Sequence, residues 1–217
     1  MSTVLQNCQA EDRLVLDGVS WATYEALVAD LEHAGTRLTY DQGRLEIVSP
    51  SRQHERLKRS IGRMIETMTL ELGIPIDSGS ATTLKRQLRQ RGLEADESYY
   101  ISNEPRVRDR DDLDLTVDPP PDLAIEVDLS QPLIDKLAIY ADLRVPEVWS
   151  FDGKNLRILL LQSDDTYADS RNSAAFPFLP PARLESFLLE RGTTDETTWI
   201  RRFRAWVREE LADYRPK

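Results

Sequence analysis

Apolar residues recur along this chain in two rhythms, every second or every third to fourth position, and the changes between them mark out its elements. Residues 1–12 show neither rhythm and read as a loose terminus, within a loose N-terminal segment 1–19. Ser20 suits a helix N-cap, and Tyr24, Leu27, Val28 and Leu31 form an apolar stripe. This predicts a helix from Trp21 to about His33, with Gly35 beyond its end. The stretches 37–40 and 44–48 flank Asp41-Gln42-Gly43, which predicts a hairpin. Pro50 and Ser51 close it. Leu57, Ile61, Met64, Ile65, Met68 and Leu72 then recur at helical spacing, predicting a long helix over 53–72 that Gly73 and Pro75 stop.

Apolar stretches at 74–84 and 93–101 predict two strands, and the charged, proline-flanked segment 103–118 reads as loop. A central strand follows at 123–129, and Pro132 is placed to open a helix over 133–143. Segments 145–151 and 156–162 make a hairpin around Asp152-Gly153. Residues 164–181 are loop with a short strand, and helices at 182–190 and 195–213 end the pattern. The order predicts an α/β fold: a mixed sheet flanked by helices, with an N-terminal helix and hairpin and a C-terminal helical tail. No repeat or linker divides it. The expected layout is a domain over 20–162 and an extension, 163–217, packed on it.

The segment Pro-Asp-Leu-Ala-Ile-Glu-Val-Asp at 121–128 carries the strongest chemical signal. A period of two puts Leu123, Ile125, Val127 and Leu129 on one face and Asp122, Ala124, Glu126 and Asp128 on the other. Carboxylates in such a row repel one another unless water or a cation neutralises them. Acids on the wet face of an antiparallel strand are the simpler explanation, so the rest of the chain has to decide.

Composition narrows the choices. The chain has 217 residues, 40% of them hydrophobic, enough for a well-packed core. No apolar run approaches the ~20 residues of a membrane span and no secretory pattern opens the chain, so a cytoplasmic protein without a membrane partner is expected. One cysteine, Cys8, and two histidines, His33 and His54, provide no zinc-type ligand set. A metal, if bound, would be oxygen-ligated Mg²⁺ or Mn²⁺. A net charge of −10 argues against general binding to phosphate backbones. Arg52, Arg56, Lys58, Arg59 and Arg63, and again Lys85, Arg86, Arg89 and Arg91, leave room for a local basic groove. A homodimer is compatible with an open sheet edge or with the helical tail.

Strand geometry limits which acids can share an ion. At roughly 3.3 Å per residue, Asp122 and Glu126 are roughly 13 Å apart, so a ligand from a neighbouring strand serves Glu126 better. Asp96 is the best placed, in a segment expected beside 123–129, with Glu94, Asp96 and Ser98 of one parity and able to face the side of Glu126.

Taken in order, these residues resemble the Uma-two family of the restriction-endonuclease-like, PD-(D/E)xK nuclease superfamily. They are Glu46 in Gly-Arg-Leu-Glu, Ser49 and Pro50 before His54, the Asp96 strand, Pro-Asp-Leu-Ala-Ile-Glu-Val, Lys136, and Tyr140 to Trp149. The resemblance spans about 20–162. It implies a restriction-endonuclease-like core and a DNA endonuclease in which Asp96 and Glu126 hold Mg²⁺ or Mn²⁺ while a lysine assists the attacking water. The chain departs from the superfamily pattern at Ala95, where a proline would precede the aspartate, and at Asp128, where the lysine would stand. Lys136 could supply that amine from the following helix, or simply lie along the helix surface. Asp128 could be a third carboxylate ligand. Glu46 could complete the ligand shell or pair with Arg44 or Arg37. His54 is more in keeping with a structural hydrogen-bonding role than with a base, and Asp122 with anchoring the strand start than with joining the site. The alternative to a nuclease is a catalytically inactive relative of the fold that binds or regulates.

Overall fold

The structure, a computed structural model, describes residues 3–8, 11–31, 35–79, 83–86, 89–110 and 112–214. Its strands are β1 (Thr3–Cys8), β2 (Glu11–Asp17), β3 (Arg37–Asp41), β4 (Arg44–Ser49), β5 (Asp77–Ser78), β6 (Thr83–Arg86), β7 (Arg91–Glu94), β8 (Glu97–Tyr100), β9 (Leu123–Val127), β10 (Glu147–Phe151), β11 (Leu156–Leu161) and β12 (Tyr167–Ser170). The helices are α1 (Trp21–Leu31), α2 (Arg52–Leu72), α3 (Glu104–Val107), α4 (Lys136–Leu143), α5 (Pro181–Glu190) and α6 (Glu196–Glu210). The architecture is mixed α/β, but with two sheets rather than one. Among the described residues one is antiparallel, ordered β1-β2-β4-β3-β7-β6, and the other is mixed, ordered β12-β11-β10-β9-β8-β5 with β9 and β10 parallel.

Most elements form where the pattern places them. Gln42 and Gly43 both adopt positive φ, 47° and 99°, the turn geometry that lets β3 and β4 pair at once. Ser51 caps α2 by accepting from the His54 amide at 3.1 Å, and Gly73 ends the helix in the left-handed region at φ 66°. The apolar stripe of α2 packs on Leu123, Ile125 and Val127 of β9, and Phe187, Phe203 and Trp206 of the C-terminal helices join the same core. The opposite face of β9, at Ala124, packs against Ile139 and Tyr140 of α4. As the alternation requires, β9 presents its two parities to two layers, and all five of its residues are buried.

Five expectations need correction. The stretch 74–84 is not one strand: β5 pairs with β8 in the second sheet, and β6, which begins at Thr83, pairs with β7 in the first. Residues 3–8 and 11–17 are strands, not a loose terminus, because β2 pairs along the whole of β4. The stretch 93–101 is not one strand: it breaks at Ala95-Asp96, β7 joining the first sheet beside β3 and β8 the second beside β9. α4 starts at Lys136 rather than at 133, where the Asp135 carboxylate accepts from the Ala138 amide at 3.2 Å and caps the first turn. Segment 103–118 includes the short helix α3. The expected end of α1 near His33 lies outside the described residues.

Candidate functional site

The break at Asp96 positions the candidate site, because it falls where the chain leaves one sheet for the other. β8 and β9 run antiparallel with Glu97 opposite Ile125 and Ser98 opposite Ala124, so the next register position sets Asp96 against Glu126. The Asp96 carboxylate accepts from the Val127 amide at 2.8 Å and from His54 Nε2 at 2.8 Å, with Arg37 Nε at 3.9 Å. Glu94, expected to share its parity, instead accepts from the Leu38 amide in the first sheet.

Glu126 is buried and doubly held. Lys136 Nζ donates to Oε2 at 2.5 Å and the Tyr140 hydroxyl donates to Oε1. Lys136 and Tyr140 are four residues apart on α4, so one helix face delivers both. Burial pushes the Glu126 carboxyl up to about 7, against the pull of Lys136. Desolvation would lower the Lys136 ammonium, but Glu126, Asp128 and Asp96 outweigh it and hold it charged. Burial and the facing Glu126 carboxylate raise the Tyr140 hydroxyl well above its usual range. Asp128 stands 3.7 Å from the same ammonium and accepts from Ser150 at 3.1 Å. Glu126, Asp128, Lys136, Pro132, Ser150 and Leu159 help line a cavity of about 450 Å³, within the size range of small-ligand pockets.

A second buried group lies behind Asp96. His54 Nδ1 meets Glu11 at 2.6 Å, so the imidazole bridges two carboxylates. Burial opposes its charge, but bonds to Asp96 and Glu11 prevail and raise it to about 9. Glu11, despite burial, is held down at about 2 by His54, Ser130 and Arg13. Arg13 reaches Glu11 at 2.6 Å, Ser130 at 2.9 Å and Glu46 at 3.1 Å. Glu46 therefore pairs with Arg13 and the Leu133 amide, not with Arg44 or Arg37. Asp122 stands apart from the site. It accepts from the Ile101 and Asn103 amides and the Asn103 side chain, tying down the start of β9.

Sequence reasoning gave no site role to Glu11, Arg13 or Ser130, and named Tyr140 only as part of the resemblance, without its bond to Glu126. Tyr140 had a usable signal in its spacing from Lys136. Glu11 and Arg13 had none, since they occupy the buried parity of β2 and so erase the hydrophobic alternation that would have marked the strand.

The donors suit a hard cation by type: Asp96, Glu126 and Asp128 offer carboxylate oxygens, and Asp128 Oδ1 is buried without a hydrogen-bond partner. By arrangement they stand closed. Among the described residues no three His, Cys, Asp or Glu side chains are grouped to hold an ion, and the Lys136 ammonium lies within reach of both Glu126 and Asp128.

Two six-stranded sheets with flanking helices, and buried acids meeting a lysine at a sheet junction, define an α/β protein of nuclease-like build. The chain belongs to the Uma2 (Uma-two) family, whose model, described as "Putative restriction endonuclease", matches residues 21–191. The match runs past 162, where the resemblance was expected to end, and takes in β12 and α5. Among curated proteins the chain finds no match. Among the described residues no helix is long and apolar enough to cross a membrane.

Proposed function

We propose that the chain is a Mg²⁺- or Mn²⁺-dependent endonuclease that hydrolyses phosphodiester bonds of DNA in the cytoplasm. The observation that carries the reading is the placement of Glu126 between the Lys136 amine and the Tyr140 hydroxyl, opposite Asp96 across the β8–β9 pair and at the edge of a cavity. With Lys136 displaced from Glu126 and Asp128, these two and Asp96 would hold the ion, which when bound supplies Lewis-acid polarisation of the phosphate and a more acidic water. Lys136 is the group that can balance charge developing on a phosphate in the cavity. Tyr140 fixes the orientation of Glu126. His54 fixes that of Asp96, and Glu11 with Arg13 fixes His54. Glu46 acts at one remove, through Arg13 and the backbone that leads into α4.

One observation favours a second reading, a nuclease fold without turnover: both carboxylates of the central pair are already bonded within the protein. A single comparison separates the two. Plasmid DNA with Mn²⁺ is incubated with the wild-type protein and with the Asp96→Ala, Glu126→Ala variant. Cleavage by the wild type alone supports the endonuclease, and equal inactivity of both overturns it. A wild-type melting temperature raised by Mn²⁺ without cleavage marks the binding module, since a ligand of the native state at 100 times its Kd adds about 2.7 kcal/mol.

A further inference from the structure

On the solvent side of α2, away from the acids, Arg52, Gln53 and Arg56 together with Arg191 just beyond α5 line a shallow cleft of about 400 Å³. No carboxylate is among its lining residues. In a chain of net charge −10, Arg13, Arg63, Arg91, Arg144 and Arg157 by contrast sit against acids. Among the described residues Arg52 and Arg56 make no ion pair, and both are exposed. Arg191 is half-buried, and its Nε and Nη1 are shut off from water with no acceptor. Burial, and after it the like charge of Arg56, pulls its guanidinium below the usual value, with Glu196 opposing. Glu196 is itself engaged by Arg63 at 3.1 Å.

Solvated surface charge does not account for that arrangement. An exposed arginine keeps its five donors in water, whereas Arg191 holds three of them, on Nε and Nη1, out of water beside a second cation. Arg191 Nη2, which is not among the nitrogens shut off from water, and the exposed Arg56 guanidinium are the donors an oxyanion in the cleft would meet, and its charge would offset the repulsion between them. Arg52 and Arg56 flank His54 in sequence but lie across α2 from it: His54 is buried toward Asp96 at 2.8 Å, and both arginines face solvent. Arg59 and Arg63 continue along the helix, lining the adjoining cleft.

We infer that Arg56 and Arg191, assisted by Arg52 and Gln53, form a phosphate clamp that grips one backbone phosphate of the nucleic acid away from the bond to be cut. This rests on the endonuclease reading for its substrate but not for its chemistry. It explains how a strongly acidic protein could hold a polyanion: the affinity comes from one local cluster rather than from the overall field.

The test measures binding without cleavage. A fluorescein-labelled DNA duplex is titrated by anisotropy in EDTA, from about 50 to 200 mM KCl, with the wild type and with the Arg56→Gln, Arg191→Gln variant. Arg56→Gln alone, at an exposed helix position, serves as a second variant that keeps the packing of Arg191. Arg144→Gln with Lys85→Gln removes the same charge elsewhere. The clamp predicts that the first variant loses about tenfold or more in affinity and that its log–log salt slope falls by roughly 0.9, the value for one phosphate. Arg56→Gln falls in the same direction, and the distant pair changes little. Equal affinity and slope in wild type and clamp variant overturn the inference, as does equal loss in the distant pair or absence of wild-type binding. Inorganic phosphate that stabilises the wild type but not the variant, with DNA affinity the same in both, assigns the cleft to free phosphate and overturns it too. Cleavage without arginine-dependent binding leaves the endonuclease and removes the clamp, while arginine-dependent binding without cleavage does the reverse.

Discussion

Replacing Lys136 by methionine removes the cation facing Glu126 while keeping most of the side chain's bulk. In the wild-type protein Glu126 titrates at about 7, because burial pushes it up and the ammonium 2.5 Å away pulls it back. Its folded value lies above its ordinary 4.5, so its contribution to stability is full below that pH and is lost as pH rises through about 7. Without Lys136 the desolvation is far less opposed, and the carboxyl keeps its proton to higher pH. Above about pH 7 the native variant then holds up to one proton more than the native wild type. The unfolded chains do not differ in this respect at Glu126, and Lys136 stays protonated in both states of the wild type until near its ordinary value of 10.5. Linkage therefore makes the variant less stable by about 1.4 kcal/mol per pH unit, or about 3 kcal/mol by about pH 9. That is on the scale of ~3–5 kcal/mol for breaking a buried ion pair. Urea unfolding followed by tryptophan fluorescence, at pH values from about 6 to about 9, gives the difference directly, and His54 cancels because both chains carry it. A stability deficit that stays flat across this range refutes the assignment of Lys136 as the counter-ion of Glu126.

Two further outcomes follow from the same network. His54 is raised from 6.5 to about 9, so its contribution is present below about pH 6.5 and lost as pH rises through about 9; in stability-against-pH curves His54→Ala should abolish a fall of about 3 kcal/mol over that window. Asp122→Ala removes the acceptor of bonds at 2.7, 2.9 and 3.0 Å and should cost about 2–3 kcal/mol in urea unfolding, yet leave any Mn²⁺-induced rise in melting temperature intact, because Asp122 lies outside the acid cluster.

How much of this was legible depended on whether the governing interaction was local. The hairpin at 41–43, the cap and stop of α2, and the two-faced burial of β9 follow from turn chemistry, capping and periodicity, all written within a few neighbouring residues. That Asp96 and Glu126 face each other follows from expecting their segments side by side, although the strand assumed for Asp96 breaks there, whereas Lys136 was offered only by the family resemblance, beside a helix-surface alternative. The start of α4 was misplaced because Pro132 is a helix-start signal that Asp135 overrides by actually capping the first turn.

What the chain alone determined is thus its mixed α/β character, the extent of most helices and strands, and the identity of the central acidic strand. The division into two sheets at Asp96, the recruitment of β1 and β2, and the burial of Glu11 and Arg13 were decided in three dimensions. The reason is physical. A buried charge is stable only beside a partner that can lie far away along the chain, as Glu11 lies 43 residues from His54 and 119 from Ser130, and no local pattern records that partner.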